Sequence, residues 1–304
     1  MKLEGIYAPI PTPFKNDGSE EICYGSLERN MEKWAQSSLT GIVVCGSNGE
    51  LPFITTPERA RMTASVKKSL EQAARDKKIV VGAFQHTTKE TIDCCKAAAD
   101  GGADAALILP PHYFKAQGMP AAIEFFERVA DASPIPVVLY NMPGNTGVNL
   151  DVDTILKLSR HPNVIGTKDT SGDMTQMGYL CAAQREDFSV FCGSGNYFLQ
   201  SLVVGASGGT LAVANLYPES CRMLLEAYRE EKMQTARDLQ YRVLQASDGL
   251  TRRFGVPGLK AAMERAGMYG GPTRSPMLPL GDEARAKLFA MLEEADLDKN
   301  EKWR

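Results

Sequence analysis

Val164-Ile165-Gly166-Thr167-Lys168 is a short apolar run that closes on a single amine, and Asp169-Thr170-Ser171-Gly172-Asp173 follows it as a turn into a helical pattern. A run this short and this uniformly apolar reads as a parallel strand buried on both faces, because an antiparallel strand with one wet face would alternate. Equivalent runs recur on both sides of it, near Ile6–Pro9, Ile42–Cys45, Ile79–Ala83, Ala105–Leu109, Val137–Tyr140, Val190–Cys192 and Gly209–Ala212. Helical patterns follow them. Thr56-Pro57-Glu58 offers an N-cap with proline at the first helical position, and Thr87 with Glu90 three residues on reads as a capping box. Asp173–Arg185, Tyr197–Val204 and Pro218–Glu231 supply later helices. Eight strand–helix units, each roughly 25–35 residues long, predict an α/β fold, the (β/α)8 TIM barrel. The rival, a doubly wound open sheet for a dinucleotide, lacks its G-x-G-x-x-G after the first strand.

Past Glu230 the strands stop. Lys232–Gln245, Val256–Ala266 and Gly281–Leu297 carry helical patterns, separated by turns at Phe254-Gly255-Val256-Pro257 and Tyr269-Gly270-Gly271-Pro272. The chain thus divides into a catalytic barrel over 1–230 and a C-terminal helical region over 231–304 that packs on it. The charged stretch Asp298–Arg304 is expected to fray.

Composition excludes several classes of function. Among 304 residues, 34 Lys and Arg face 37 Asp and Glu, a net charge of −3, so no basic surplus exists to bind a nucleic-acid backbone. No apolar run approaches the roughly 20 residues of a membrane span. The opening MKLEGIYAPI has neither the apolar core of a signal peptide nor the look of a transit peptide, so a cytoplasmic protein is expected. Seven cysteines (Cys23, Cys45, Cys94, Cys95, Cys181, Cys192, Cys221) form no C-x-x-C pair and read as free thiols. His86, His112 and His161 show no metal-ligand spacing, and no metal or cofactor is expected.

Barrel active sites lie at the carboxyl ends of the strands, so the residues after each apolar run carry the chemistry. Lys168 stands at such an end, where desolvation favours the neutral amine that a Schiff-base nucleophile needs. The competing reading is a strand-end lysine paired with Asp169. Tyr140 closes the fifth run, and its phenol could relay protons beside a carbinolamine or merely bond a backbone carbonyl. Gly46-Ser47-Asn48-Gly49-Glu50 follows the second run as a cradle for a carboxylate or a phosphate, or as an ordinary turn. Ser207-Gly208-Gly209-Thr210 raises the same choice, with close backbone packing favoured. No P-loop is present. His112-Tyr113-Phe114, after the fourth run, could gate the site or simply pack.

GSNGE at 46–50, YNMPGNTG at 140–147 and GTKDTSGD at 166–173 resemble the three signatures of the N-acetylneuraminate lyase/dihydrodipicolinate synthase family, over about Gly5 to Leu280. The resemblance implies a class I, metal-independent aldolase or lyase. Pyruvate, or the pyruvyl half of a 2-oxo acid, would form an imine with Lys168. Ser47 and Asn48 would hold its carboxylate, and Tyr140 would shuttle protons. Tyr113 matches the family tyrosine that reaches into a neighbouring subunit, and the implied assembly is a homotetramer. Thr170 matches a substrate-side contact, and Gly193 and Ser194 would line the pocket wall. Two departures narrow the resemblance. Asn145 stands where the synthases carry an arginine for a substrate carboxylate, and Asn48 stands where threonine is usual. With TRRFGVPGLK and YGGPTRSP, the chain is most similar to the 4-hydroxy-2-oxoglutarate aldolase branch, with 2-keto-3-deoxy sugar acid aldolases and, more remotely, dihydrodipicolinate synthases as alternatives.

Overall fold

The structure, a computed structural model, describes residues 1–183 and 185–301. Gln184, in the helix expected over Asp173–Arg185, and Lys302–Arg304, in the expected frayed tail, lie outside the described residues.

Eight parallel strands close into one barrel in sequence order. They are β1 (Gly5–Pro9), β2 (Gly41–Val44), β3 (Lys78–Gly82), β4 (Ala105–Ile108), β5 (Val137–Asn141), β6 (Val164–Asp169), β7 (Ser189–Cys192) and β8 (Gly208–Thr210). The expected TIM barrel is therefore the observed fold. Helices separate successive strands and wrap the outside, among them Tyr24–Gln36, Thr56–Gln72, Thr88–Asp100 and Gly118–Ala132.

Element boundaries differ from expectation where local chemistry decides them. The N-cap of Thr56–Gln72 is Thr55, not Thr56: Thr55 Oγ1 accepts from Glu58 N at 3.4 Å, and Glu58 Oε2 accepts from Thr55 N at 2.9 Å. The S/T-x-x-E spacing that defines a capping box runs from Thr55 to Glu58. At Thr87 only half the box forms: Thr87 Oγ1 accepts from Glu90 N at 3.2 Å, while the Glu90 carboxylate meets the Thr87 hydroxyl at 2.8 Å and not its backbone N–H. The eighth strand is shorter than expected and ends at Thr210, with Ala212–Asn215 turning as a 3-10 helix.

The seam between β8 and β1 explains the glycines of Ser207-Gly208-Gly209-Thr210. Gly5 pairs with Gly208 and Ile6 with Gly209, and a side chain at Gly208 would overlap the carbonyl oxygen of Gly5. Close backbone packing is thus their role. Between β5 and β6 the register slips by one: Val137 faces Val164, but Val138 faces Gly166, leaving Ile165 as an extra residue on β6. From there Leu139 pairs with Thr167, Tyr140 with Lys168 and Asn141 with Asp169.

After the barrel come Met233–Ser247, a π-helical turn over Asp248–Arg253, Gly255–Arg265 and Asp282–Ala295. The turn expected at Phe254–Pro257 shrinks to Phe254, because Gly255 already begins the next helix. These helices share one apolar core with the barrel, in which Leu239, Val243, Leu250, Leu259 and Leu288 pack in the same cluster as Ile6 and Ala8 of β1. Gln240 fixes the first of them above β7, donating to Gly195 O at 2.8 Å and accepting from Leu199 N at 2.7 Å. Among the described residues all seven cysteines are free thiols, and no helix is long and apolar enough to cross a membrane.

Because a methyl at Gly208 meets backbone that the closed barrel holds in place, Gly208→Ala is expected to destabilise the fold by about 3 kcal/mol, the upper range for overpacking. Urea unfolding monitored by circular dichroism reads this as a lowered midpoint, and an unchanged midpoint would show that the seam can open.

Candidate active site

A cavity of about 590 Å³ opens at the carboxyl ends of the strands. Strand alternation decides what faces it. On β6, Lys168 points in and Asp169 out; on β5, Tyr140 points in and Asn141 out, because the extra residue Ile165 sets the two pairs side by side. Lys168 is 5% exposed, and its Nζ lies 4.0 Å from the centroid of the Tyr140 ring. The Tyr140 hydroxyl is 3.2 Å from Ser47 Oγ and donates to Met142 Sδ at 2.8 Å. The amine thus lies over the phenol ring and the Ser47 hydroxyl meets the phenol oxygen, the three groups coming from β6, β5 and the turn after β2.

The pairing of Lys168 with Asp169 does not occur. Asp169 is fully buried on the outer side of β6, where Oδ2 accepts from Asn141 Nδ2 and Gln176 Nε2, each at 2.9 Å. Its Oδ1 accepts from Ser171 N at 2.8 Å and Ser171 Oγ at 2.5 Å. A buried carboxylate with four donors is fully satisfied, so it has no call on the lysine and instead anchors the strand end that carries it.

The Gly46–Glu50 turn is built under strain. Cys45 and Glu50 both hold positive φ, at 52° and 61°, values uncommon outside glycine. Between them Ser47–Gly49 forms a single 3-10 turn. Asn48 lines the cavity, and its Nδ2 is buried with no hydrogen-bond partner among the described residues, a cost that a ligand acceptor would relieve. Glu50 closes the turn and is 1% exposed. It meets Lys260 Nζ at 2.6 Å and accepts from Arg274 N at 2.8 Å. Burial pulls the Lys260 ammonium below its ordinary range, with Glu50 pulling the other way. This buried pair ties the cradle to the C-terminal helix Gly255–Arg265.

Of the other residues expected at the site, Thr170, Asn145, Gly193 and Ser194 all line the cavity. Thr170 Oγ1 is buried without a hydrogen-bond partner and packs where a side chain on Gly193 would go. Ser47 and His112 line an adjoining cavity of about 480 Å³, which shares Asn48, Met142, Asn145 and Thr251 with the first. Tyr113 is not brought to the site of its own chain: it is 78% exposed and lies edge-on to Phe114 with ring centroids 5.0 Å apart. His112 packs on Phe84 instead, at 5.2 Å between ring centroids. Sequence reasoning missed Met142, Tyr197, Ser247, Thr251 and Arg252, all of which line the main cavity. The last two open the TRRFGVPGLK segment, and their part in the site follows from a helix packing over the barrel mouth, which periodicity does not reveal.

The dihydrodipicolinate synthetase family model matches residues 2–295. The chain belongs to that family. It is 36% identical over 301 residues to the probable 4-hydroxy-2-oxoglutarate aldolase, mitochondrial, of Emericella nidulans, covering 98% of this chain and 96% of that one. It is also 36% identical over 292 residues to the L-threo-3-deoxy-hexylosonate aldolase of Hypocrea jecorina, with 92% of each covered. The fold superposes on the chloride-inhibited dihydrodipicolinate synthase of Acinetobacter baumannii complexed with pyruvate, with a TM-score of 0.90 and 28% identity over 97% of this chain and 100% of that one. The protein is accordingly an enzyme, of the aldolase and lyase type that this family comprises.

Two substitutions test the construction of the site. A methyl at Gly193 would overlap Thr170 Oγ1 and stand 2.8 Å from the Asp169 carbonyl oxygen, displacing the segment that follows Lys168. Gly193→Ala is expected to cut turnover by about 100-fold, the scale of a 1 Å misplacement, while the folded spectrum is kept. Lys260→Met leaves the Glu50 carboxylate buried and unpaired, at a cost of about 3–5 kcal/mol. Denaturant unfolding should show that loss, with part of it restored by adding Glu50→Gln.

Proposed function

We propose that this enzyme is a class I aldolase that cleaves a 4-hydroxy-2-oxo acid, 4-hydroxy-2-oxoglutarate, to pyruvate and glyoxylate. The observation that carries the chemistry is the grouping of the Lys168 amine over the Tyr140 ring with Ser47 at the Tyr140 hydroxyl. Lys168 Nζ attacks the C2 carbonyl carbon, and the carbinolamine loses water to give an imine. Protonation of the imine nitrogen makes it an electron sink. The C4 hydroxyl gives up its proton, the C3–C4 bond breaks, glyoxylate leaves, and the bonding pair becomes the enamine. Protonation at C3 and hydrolysis return pyruvate and free Lys168. Tyr140 is placed to carry protons on and off the oxygens at each stage, with Ser47 holding its hydroxyl in line. The substrate carboxylate beside C2 goes to Ser47 and Asn48, whose unpartnered amide it would satisfy. Thr170, Gly193 and Ser194 form the wall against the rest of the substrate.

Support for the substrate comes from the relatives: one at 36% identity is named for this activity. A second reading, cleavage of a 2-keto-3-deoxy sugar acid, is favoured by the equally similar hexylosonate aldolase and by the adjoining cavity, which gives room for a longer polyol tail. Condensation with aspartate semialdehyde fits less well, since Asn145 offers an amide and not a guanidinium to a second carboxylate. The exposed pair of Tyr113 and Phe114 suits an interface, and we read it as the contact through which a homotetramer would bring Tyr113 to a neighbour's site.

Pyruvate release coupled to lactate dehydrogenase tests the reading, with 4-hydroxy-2-oxoglutarate set against 2-keto-3-deoxy-hexonates. Fast release from the short substrate is expected, and preference for a sugar acid would transfer the protein to the second reading. Lys168→Ala should abolish both turnover and the borohydride-trapped pyruvate adduct with the fold intact. Tyr140→Phe should lower kcat by about 100-fold or more, the usual range for a lost general acid–base. Undiminished turnover in Lys168→Ala would sink the imine mechanism.

A further inference from the structure

The floor of the cavity serves the imine, while its outer wall comes from the C-terminal helices and has no assigned task. Ser247 ends the helix Met233–Ser247, and Thr251 and Arg252 lie on the π-helical turn that follows; all three line the cavity. In an α-helix the fifth residue beyond Ser247 would point well away from it. The wider π turn lets the fourth and fifth both flank its face, and such turns recur at functional sites.

Charge singles out Arg252. The cavity lining holds two cations, Lys168 and Arg252, and among the described residues that line it there is no Asp or Glu. Behind the wall, Asp248 accepts from Arg253 Nε at 2.6 Å and from Arg252 Nη1 at 3.4 Å. One carboxylate against two guanidiniums leaves the cluster positive, and the longer contact leaves most of the Arg252 donor fork open. Its side chain is 77% exposed at the cavity rim. The cavity therefore has a cation at its floor and another at its mouth, with neutral donors between them: the pattern that receives an anionic group at each end of one small molecule.

We propose that Arg252 binds the distal carboxylate of a 2-oxo dicarboxylic acid anchored at Lys168, so that the enzyme selects dianionic over monoanionic 2-oxo acids of equal length. The proposal rests on the imine reading and adds the residue that holds the far carboxylate and the selectivity that follows from it. Two non-cleavable probes test it: 2-oxoglutarate and 2-oxopentanoate, which have the same chain length and differ in a terminal carboxylate against a methyl. Each is trapped on the enzyme with borohydride, and the half-saturating concentration is read from the intact mass. The wild type is expected to saturate with 2-oxoglutarate at about 30-fold lower concentration, the scale of a hydrogen-bonded charge. Arg252→Gln should bring the ratio close to one, and Arg252→Lys should keep part of it. The ratio is internal to each variant, so a general loss of reactivity does not mimic the effect. A ratio near one in the wild type, or one that survives Arg252→Gln, overturns the assignment of Arg252 while the imine stands. No adduct even with pyruvate overturns the imine reading, and this inference with it.

Discussion

One extra residue on β6 determines which side chains the barrel can bring together. With Val137 opposite Val164, an unbroken register would set Tyr140 beside Thr167 and put Lys168 opposite Asn141, on the other face. Ile165 absorbs one position, so Tyr140 and Lys168 become lateral neighbours with both side chains turned inward. The same slip turns Asn141 and Asp169 outward together, where Asn141 donates to Asp169 and Asp169 also accepts from Gln176. A single irregularity thus sorts four polar residues into one pair facing the cavity and one pair outside. The outer pair is as necessary as the inner one, because it fixes the last residues of two strands that would otherwise fray into loops.

The C-terminal helices complete what the barrel begins. A strand end gives only a floor; walls must come from whatever packs above it. Here Gln240 locks one helix to the turn after β7, and Glu50 with Lys260 locks another to the turn after β2. Burying an ion pair is a poor way to gain stability, since desolvation offsets most of the attraction. Its effect is better read in geometry. Glu50 can meet Lys260 and the Arg274 amide only if Ser47 and Asn48 sit where they do, so the pair fixes the cradle at a place where the backbone is already strained.

The barrel and the residues at the floor of its cavity are legible in the sequence because both follow from short-range rules. Buried parallel strands are uniformly apolar, and strand ends carry the chemistry, so Lys168, Tyr140 and the Gly46–Glu50 turn stand out from the residue pattern alone. Sequence reasoning fails where the deciding contact is remote. The outward turn of Asp169 depends on the slip at Ile165, which no periodicity shows. The eighth strand ends at Thr210, opposite Tyr7 of β1, and the chain then turns away as a 3-10 helix, a contact across the closed barrel and not a local propensity. Tyr113 is exposed in its own chain, and nothing within one chain can assign it a substrate.

The floor and the outer wall of the cavity come from different parts of this molecule. The groups to which the proposed function gives bond-making roles project from β5, β6 and the turn after β2, where buried backbone would hold them to the tolerance that proton transfer and imine formation demand. The residues of the outer wall, Ser247, Thr251 and Arg252, come instead from a helix and its widened final turn. On the proposed function, a change of charge there would alter which molecule fits without moving Lys168 or Tyr140. Relatives of equal similarity carry the names of aldolases for different substrates, and on the proposed function such differences belong to the wall, where shape and charge can change while the floor beneath stays the same.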